Sequence, residues 1–272
     1  QKAEIGRRLA DLYQGPLDDP RGAIRSLETV YAADPDDLDA VARLVELCES
    51  VEAWERTAEL LAVLVEIEGD PEEASSLARR LAEILVDRLD NGQEALAVLE
   101  PLADEGDRDC RDAYVQLGDK LGFKGIVAMK LRDWYATAPV ADQHEAFRGA
   151  FERFIEMGRD QDAAQIAVEL IRSRGATEEI IESLEEIAVR LKDLDSLATA
   201  HDYRVRDLSG EQRAEEFVRQ AEVLLSAGVS TTEAAQHGEQ GLTSVAPADV
   251  EPLLERLSAL VGEPNLVIDL YE

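Results

Sequence analysis

The chain has 272 residues and a formal net charge of −31 at pH 7, because 59 acidic residues outnumber 28 basic ones. Its 45% hydrophobic content suffices for a packed core and excludes a wholly disordered acidic tail. This charge repels phosphate and anionic headgroups, so we expect no nucleic-acid partner and no binding to an anionic membrane. No apolar run is long enough for a transmembrane helix, so direct membrane insertion is not expected either.

Apolar residues recur along the chain at the spacing of one face of an α-helix. In chain order, clear examples run from Leu77 to Leu85, from Phe147 to Ile155, from Ala163 to Ile171 and from Val250 to Leu260. Their apolar side chains stand three or four positions apart, which is the helical period. Alternation of apolar and polar residues is nowhere sustained, so the sequence predicts an all-α chain without strands.

Turn-forming residues divide the predicted helices into pairs at a regular interval. One series of turn residues precedes the first helices: Pro35, Pro71, Gly106, Pro139, Gly175, Ser209 and Pro247. A second series of small residues opens the second helices: Ala23, Ala58, Ala95, Ala128, Ala164, Ala198 and Ala234. Both series advance by about 35 residues per step, so two independent markers indicate one internal repeat.

The first repeat has a distinctive set of residues, which are Leu9, Ala10 and Tyr13 on the first helix, then Ala23, Leu27 and Val30 on the second, then Asp34 and Pro35. In these residues it resembles the tetratricopeptide-repeat (TPR) family. Later repeats keep the alanine and the period but depart from the family pattern, and longer HEAT-type pairs are the second choice. The resemblance implies a right-handed α-solenoid of about eight helix-turn-helix repeats, each hiding its apolar face against the next.

We expect residues 1–272 to form a single TPR-like solenoid that is a fragment of a longer repeat protein. The chain begins without Met and ends in an apolar segment, Asn265 to Glu272, with no polar capping helix after it. Uncapped ends of this kind would favour stacking between copies of the chain.

Motifs for catalysis, metal binding or cofactor binding do not emerge. The acidic run from Asp34 to Asp39 lacks the glycine and glutamate of an EF-hand, so we interpret Asp34 and Asp70 as helix caps. Gly118 to Gly125 lacks the P-loop spacing. Three histidines share no motif and are expected at the surface or in a groove: His144, His201 and His237. We expect a non-enzymatic protein with no cofactor and no metal.

One basic segment interrupts the acidic chain and is the candidate binding site. It contains Lys120, Lys124, Lys130 and Arg132, followed by Trp134 and Tyr135. Aromatic and arginine side chains are common anchors at protein interfaces. The alternative is that the cations pair with neighbouring carboxylates while Trp134 and Trp54 fill the core.

The two cysteines, Cys48 and Cys110, lie in separate predicted helices and outside any C-x-x-C motif. We interpret them as small buried thiols in a reducing compartment. The excess of Arg over Lys is typical of a GC-rich genome or a salt-loving host, and we expect a bacterial, cytoplasmic protein.

These observations favour a protein–protein interaction scaffold that binds a peptide or partner protein on the concave face lined by first helices. The acidic surface favours a basic partner. The family's clamp for C-terminal carboxylates uses Lys, Arg and Asn, and this chain has only Asn91 and Asn265, so such a clamp is not expected. A sensor domain that controls a neighbouring domain and a structural spacer remain as alternatives, and an enzyme is the last of them.

Overall fold

A computed structural model describes residues 2–242 and 247–261, and these residues form fifteen α-helices and no strand. The helices are α1 Lys2–Gln14, α2 Pro20–Tyr31, α3 Leu38–Ser50, α4 Trp54–Ile67, α5 Pro71–Asp87, α6 Gly92–Glu105, α7 Arg108–Lys120, α8 Lys124–Tyr135, α9 Val140–Glu156, α10 Asp160–Arg172, α11 Glu178–Leu191, α12 Leu194–Val205, α13 Gly210–Ser226, α14 Thr231–Leu242 and α15 Pro247–Val261. The predicted all-α class is confirmed.

Short polar side chains fix where these helices begin. The carboxylate of Asp70 accepts hydrogen bonds from the backbone N–H groups of Glu72 and Glu73 at 2.9 and 3.2 Å, with Pro71 in the first turn as predicted. The prediction that Asp34 caps the next helix, α3, is wrong. The cap of α3 is Asp37, which accepts from the N–H of Ala40 at 3.3 Å, because the chain makes one more turn before the helix starts.

Two compact units divide the chain, Gln1–Phe123 and Lys124–Glu272. In the first unit each of α1 to α6 packs against the next helix, and α5 also contacts α7. In the second unit α8 to α14 do the same, and α10 meets α12, α11 meets α13, and α13 meets α15. Packing in chain order is the defining property of a solenoid, so the predicted helical-repeat architecture is confirmed within each unit.

The predicted period is present in the helix boundaries. The second helices of the pairs begin at Pro20, Trp54, Gly92, Lys124, Asp160, Leu194 and Thr231, on average about 35 residues apart. The alanines predicted at these helix starts are buried, with one exception. Ala198 is exposed, and its neighbour Leu197 is fully buried instead. Asp193 caps α12, which places Leu197 rather than Ala198 on the inward face.

Each unit has its own apolar interior. In the second unit Phe154, Leu170 and Leu184 are fully buried in one cluster that also takes in residues of α8, α10 and α12. Burial of one such side chain contributes roughly 1.5–3 kcal/mol. Cys48 and Cys110 are buried free thiols, as predicted. The predicted apolar end from Asn265 to Glu272 lies outside the described residues.

Candidate binding groove

A groove runs between α5 and α7, the first helices of two successive pairs in the first unit, and encloses about 420 Å³. Its apolar lining comes from Ala82 and Val86 of α5, Leu99 of α6, and Ala113 and Leu117 of α7. Residues four positions apart share one helix face, so the repeat pattern itself places these pairs of side chains on the groove. The lining suits an apolar side chain of a docked peptide.

The charged part of this groove is mostly acidic. Four carboxylates line it: Glu83, Asp87, Asp109 and Asp112. Arg79 pairs with Asp109 at 3.3 Å, and Lys120 lies 3.8 Å from Asp87, so each cation links α7 to α5. Glu83 and Asp112 form no ion pair with the described residues. The groove therefore presents two carboxylates that a cationic ligand could engage without displacing a cation of the chain.

A buried polar contact holds the two walls together. Asp107, the cap of α7, accepts hydrogen bonds from the Cys110 N–H at 2.7 Å and from the Ser75 hydroxyl of α5 at 2.9 Å. The Cys110 sulfur lies 3.4 Å from the Ser75 hydroxyl oxygen. Burial raises the pKa of the Cys110 thiol to about 11. The thiol is therefore protonated at neutral pH and is a poor nucleophile.

The residues of the basic segment that is predicted as a binding site each contact a different neighbour. Lys120 lies in the α5–α7 groove. Lys124, the first residue of α8, pairs with Glu156 at the end of α9. Lys130 places its ammonium group 5.7 Å from the centre of the Trp134 ring, which is the geometry of a cation–π contact. The structure thus brings Lys130 and Trp134 together.

The remaining predicted residues lie on α8 in the second unit. Arg132 bonds to the neighbouring carboxylate of Asp133 at 3.0 Å and lines a second groove, of about 570 Å³, with Phe147 and Arg172. Trp134 is buried, with 9% of its surface exposed, and Tyr135 is half-buried. This set stays a prediction as a partner-binding site.

Of the three histidines, which were expected at the surface or in a groove, His201 departs from the expectation because it is buried, whereas His144 and His237 are half-buried. His144 lies 3.0 Å from the Ser173 hydroxyl through its Nε2 atom. His201 is buried, with 3% exposure, and its ring centre is 4.8 Å from that of His237. The sequence offers one signal for this, since His201 lies four residues after the buried Leu197 on α12. In the described part of the chain no three His, Cys, Asp or Glu residues are placed to hold a metal ion.

Neither a protein-family model nor a curated protein sequence matches the chain. Among solved structures, PilW, a type IV pilus biogenesis factor, is 19% identical over 84% of this chain and 99% of its own, with a TM-score of 0.30. A tetratricopeptide repeat protein from Parabacteroides merdae is 12% identical over 98% of this chain and 99% of its own, with a TM-score of 0.36.

No helix within residues 2–242 and 247–261 combines the length and the apolar character needed to cross a bilayer. The fold assignment rests on features of the chain itself. These are paired helices, a period of about 35 residues and packing in chain order within each unit. On these features the chain has a tetratricopeptide-like helical-repeat fold.

Proposed function

We propose that the chain is a non-enzymatic interaction scaffold and that the α5–α7 groove binds a basic, amphipathic peptide segment of a partner protein. The observation that carries the proposal is the groove itself, which has a volume of about 420 Å³ and combines an apolar strip with the carboxylates Glu83 and Asp112. A cationic peptide with one apolar anchor matches both properties. The net charge of −31 would also speed its approach.

Charge complementarity predicts that binding weakens as salt rises, because exposed charges are screened over about 8–10 Å at physiological ionic strength. An aliphatic anchor in the apolar lining would be much less sensitive to salt. The sequence of the anchor and the spacing of its cations would then set the choice of partner.

The test is fluorescence anisotropy with a labelled peptide of about twelve residues that carries one central Leu flanked by Arg, compared with the same peptide in which Glu replaces Arg. We expect the basic peptide to bind and the acidic one to fail. The double reversal Glu83→Lys with Asp112→Lys should weaken binding at least tenfold, or about 1.4 kcal/mol.

A matched control separates the groove from net charge. Glu55→Lys with Glu66→Lys changes two exposed carboxylates of α4, outside the groove, and shifts the net charge by the same amount. Its affinity should stay within about twofold of the wild type. Equal weakening by both double variants would show that only overall charge matters and would reject the groove.

The predicted basic segment forms a second arm of the same experiment. Reversal of Lys124, Lys130 and Arg132 to Glu tests whether this segment adds a contact for the partner. Retained affinity in this variant, with loss in the groove variant, would place recognition in α5–α7. The opposite result would move it to α8.

The proposal extends to what the scaffold does not bind and to where it works. An acidic groove favours a protein partner over nucleic acid. Two buried free thiols suit a reducing, cytoplasmic environment. We also propose that copies of this repeat protein can stack on one another.

A further inference from the structure

Two histidines meet in the interior of the second unit, where α12, α13 and α14 pack together. His201 of α12 and His237 of α14 have ring centres 4.8 Å apart, and Phe217 of α13 lies 4.6 Å from His201 and 5.1 Å from His237. Both ring nitrogens of His201 and the Nε2 atom of His237 are buried without a hydrogen-bond partner among the described residues. The three rings together fill the contact between these helices.

Charged groups surround this cluster but do not bond to it. Glu216 of α13 lies 4.0 Å from His201 Nδ1, which is too long for a hydrogen bond. It is held instead by Arg219, which also bonds to the buried Glu185 of α11 at 2.6 Å. Arg204 of α12 joins the same network through Glu185 at 3.2 Å. The nearest carboxylates are therefore already committed to arginines.

The surrounding helices supply little negative charge that could compensate protonated rings. Asp202 follows His201 on α12 and favours a charge on either ring, and Glu185 of α11 favours one on His201, whereas Arg219 opposes a charge on His201. Glu239 of α14 lies two residues beyond His237, on a different face of the helix. From α10, Glu169 and Arg172 line a groove with the start of α12, away from the face that carries His201.

Neutral rings are the stable state of this arrangement. Burial, followed by the neighbouring His237, lowers the pKa of His201 to about 4, and burial lowers the pKa of His237 as well. When the helices separate, each ring regains an ordinary pKa near 6.5. Between about pH 6.5 and 4 His201 takes up its proton only in the open form, so the closed form loses stability as the pH falls through this range, and the contribution of His201 then levels off. The lowered pKa of His237 acts in the same direction.

We propose that the contact among α12, α13 and α14 is a pH-sensitive joint, which is closed when His201 and His237 are neutral and opened by their protonation in mild acid. Two cations cannot share this apolar contact, because an unpaired buried charge is strongly disfavoured. Opening separates α14 from Phe217 of α13 and exposes the side chains that α12, α13 and α14 bury against one another. The proposal is independent of the α5–α7 groove, which lies in the other unit.

Hydrogen exchange of the full chain tests the joint directly. We expect the opening equilibrium of amides in α12 to α14 to rise at least tenfold between pH 7 and pH 5.5, after correction for intrinsic exchange rates. Amides of α9 and α10 should change far less. A histidine NMR titration in the same range should show His201 remaining neutral in the closed form. Titration of His201 near pH 6.5 without faster exchange would overturn the proposal.

Variants give a second, independent readout. His201→Phe with His237→Phe keeps aromatic rings in the contact but removes both protons, and it should abolish the extra exchange at pH 5.5. His144→Asn is the matched control, because His144 lies outside the cluster, bonded to Ser173, and the pH effect should persist in it. If the double variant does not fold, the wild-type titration decides. A pH effect that survives in a folded double variant would refute the joint.

Discussion

Asp107 uses one carboxylate oxygen for two structural tasks. The atom Oδ1 accepts the Cys110 N–H, which caps α7, and the Ser75 hydroxyl, which ties α7 to α5. Burial opposes the charge on this carboxylate, but the hydrogen bonds outweigh burial and hold the pKa of Asp107 below its ordinary value. This contribution to stability is therefore complete above about pH 4 and is lost as the pH falls further.

Removal of this carboxylate should destabilise the first unit. We expect Asp107→Ala to lower the free energy of unfolding by about 1–2 kcal/mol, because one cap is lost and the buried Ser75 hydroxyl loses its acceptor. Urea denaturation at pH 7 measures the change. Asp109→Ala, two residues along, removes a largely exposed partner of Arg79 and should cost less than about 1 kcal/mol. Equal losses would refute the double role of Asp107.

At the scale of helices, α13 and α14 cross at Gly241, a residue without a side chain. A Cβ atom added to Gly241 would lie 2.5 Å from the Phe217 Cβ and 3.1 Å from the Ala214 Cα. These atoms belong to or adjoin the backbone of α13, so they cannot rotate away. The crossing distance thus depends on the absence of a side chain at Gly241, and the same close contact seats Phe217 beside the histidines.

The substitution Gly241→Ala should therefore force α14 away from α13. We expect a net destabilisation of about 1–3 kcal/mol, even though alanine has a helix propensity about 1 kcal/mol better than glycine. Thermal unfolding followed by circular dichroism would measure it. Gly149→Ala in α9 is the matched control, because its Cβ would approach the flexible end of Arg153 at 3.1 Å, and it should be neutral or stabilising. A stable Gly241→Ala protein would contradict the crossing argument.

At the scale of the whole molecule, each helix relies on its neighbours in the chain. Packing in chain order makes the stability of a repeat array a sum of local and nearest-neighbour terms. Leu44 of α3 and Leu184 of α11 are both fully buried, each within its own unit. A cavity at either position should destabilise the adjoining helices most strongly.

This locality can be measured with two cavity-forming variants. Leu44→Ala should lower hydrogen-exchange protection chiefly in α2 to α5, and Leu184→Ala chiefly in α10 to α13, each by about 2–5 kcal/mol. The two variants serve as controls for each other. A uniform loss of protection across both units in either variant would mean that the chain opens as one cooperative body rather than as an array.

Much of the fold was predictable because its signals are local. The spacing of apolar residues within α9 alone predicts the stripe that includes Phe147, Phe151 and Phe154. The turn residues mark the helix starts. The start of α3 was misplaced, because Asp34 and Asp37 are both competent caps and the choice depends on the preceding turn. Ala198 was misassigned for a related reason, since a shift of one residue turns a side chain from the core to solvent.

The residues of the candidate sites also fall into two groups, those that the sequence indicates and those that only the structure reveals. Lys120 stands out in the sequence because basic residues are scarce, and in the structure it lines the α5–α7 groove; its role in binding stays a prediction. The acidic partners of this groove could not be identified, since carboxylates are so abundant that no single one stands out. His201 and His237 were missed as a pair, because 36 residues separate them and only the packing of α14 against α12 and α13 unites them.

By itself the sequence determined the helices, their pairing and their period, because helix formation and apolar burial depend on residues within one or two turns of each other. Only the tertiary structure decided which carboxylate each arginine or lysine meets, which first helices line a groove and which two histidine rings come into contact. These outcomes depend on distances between residues one or more repeats apart. Such distances are set by how closely neighbouring helices pack, and no local pattern in the sequence records them.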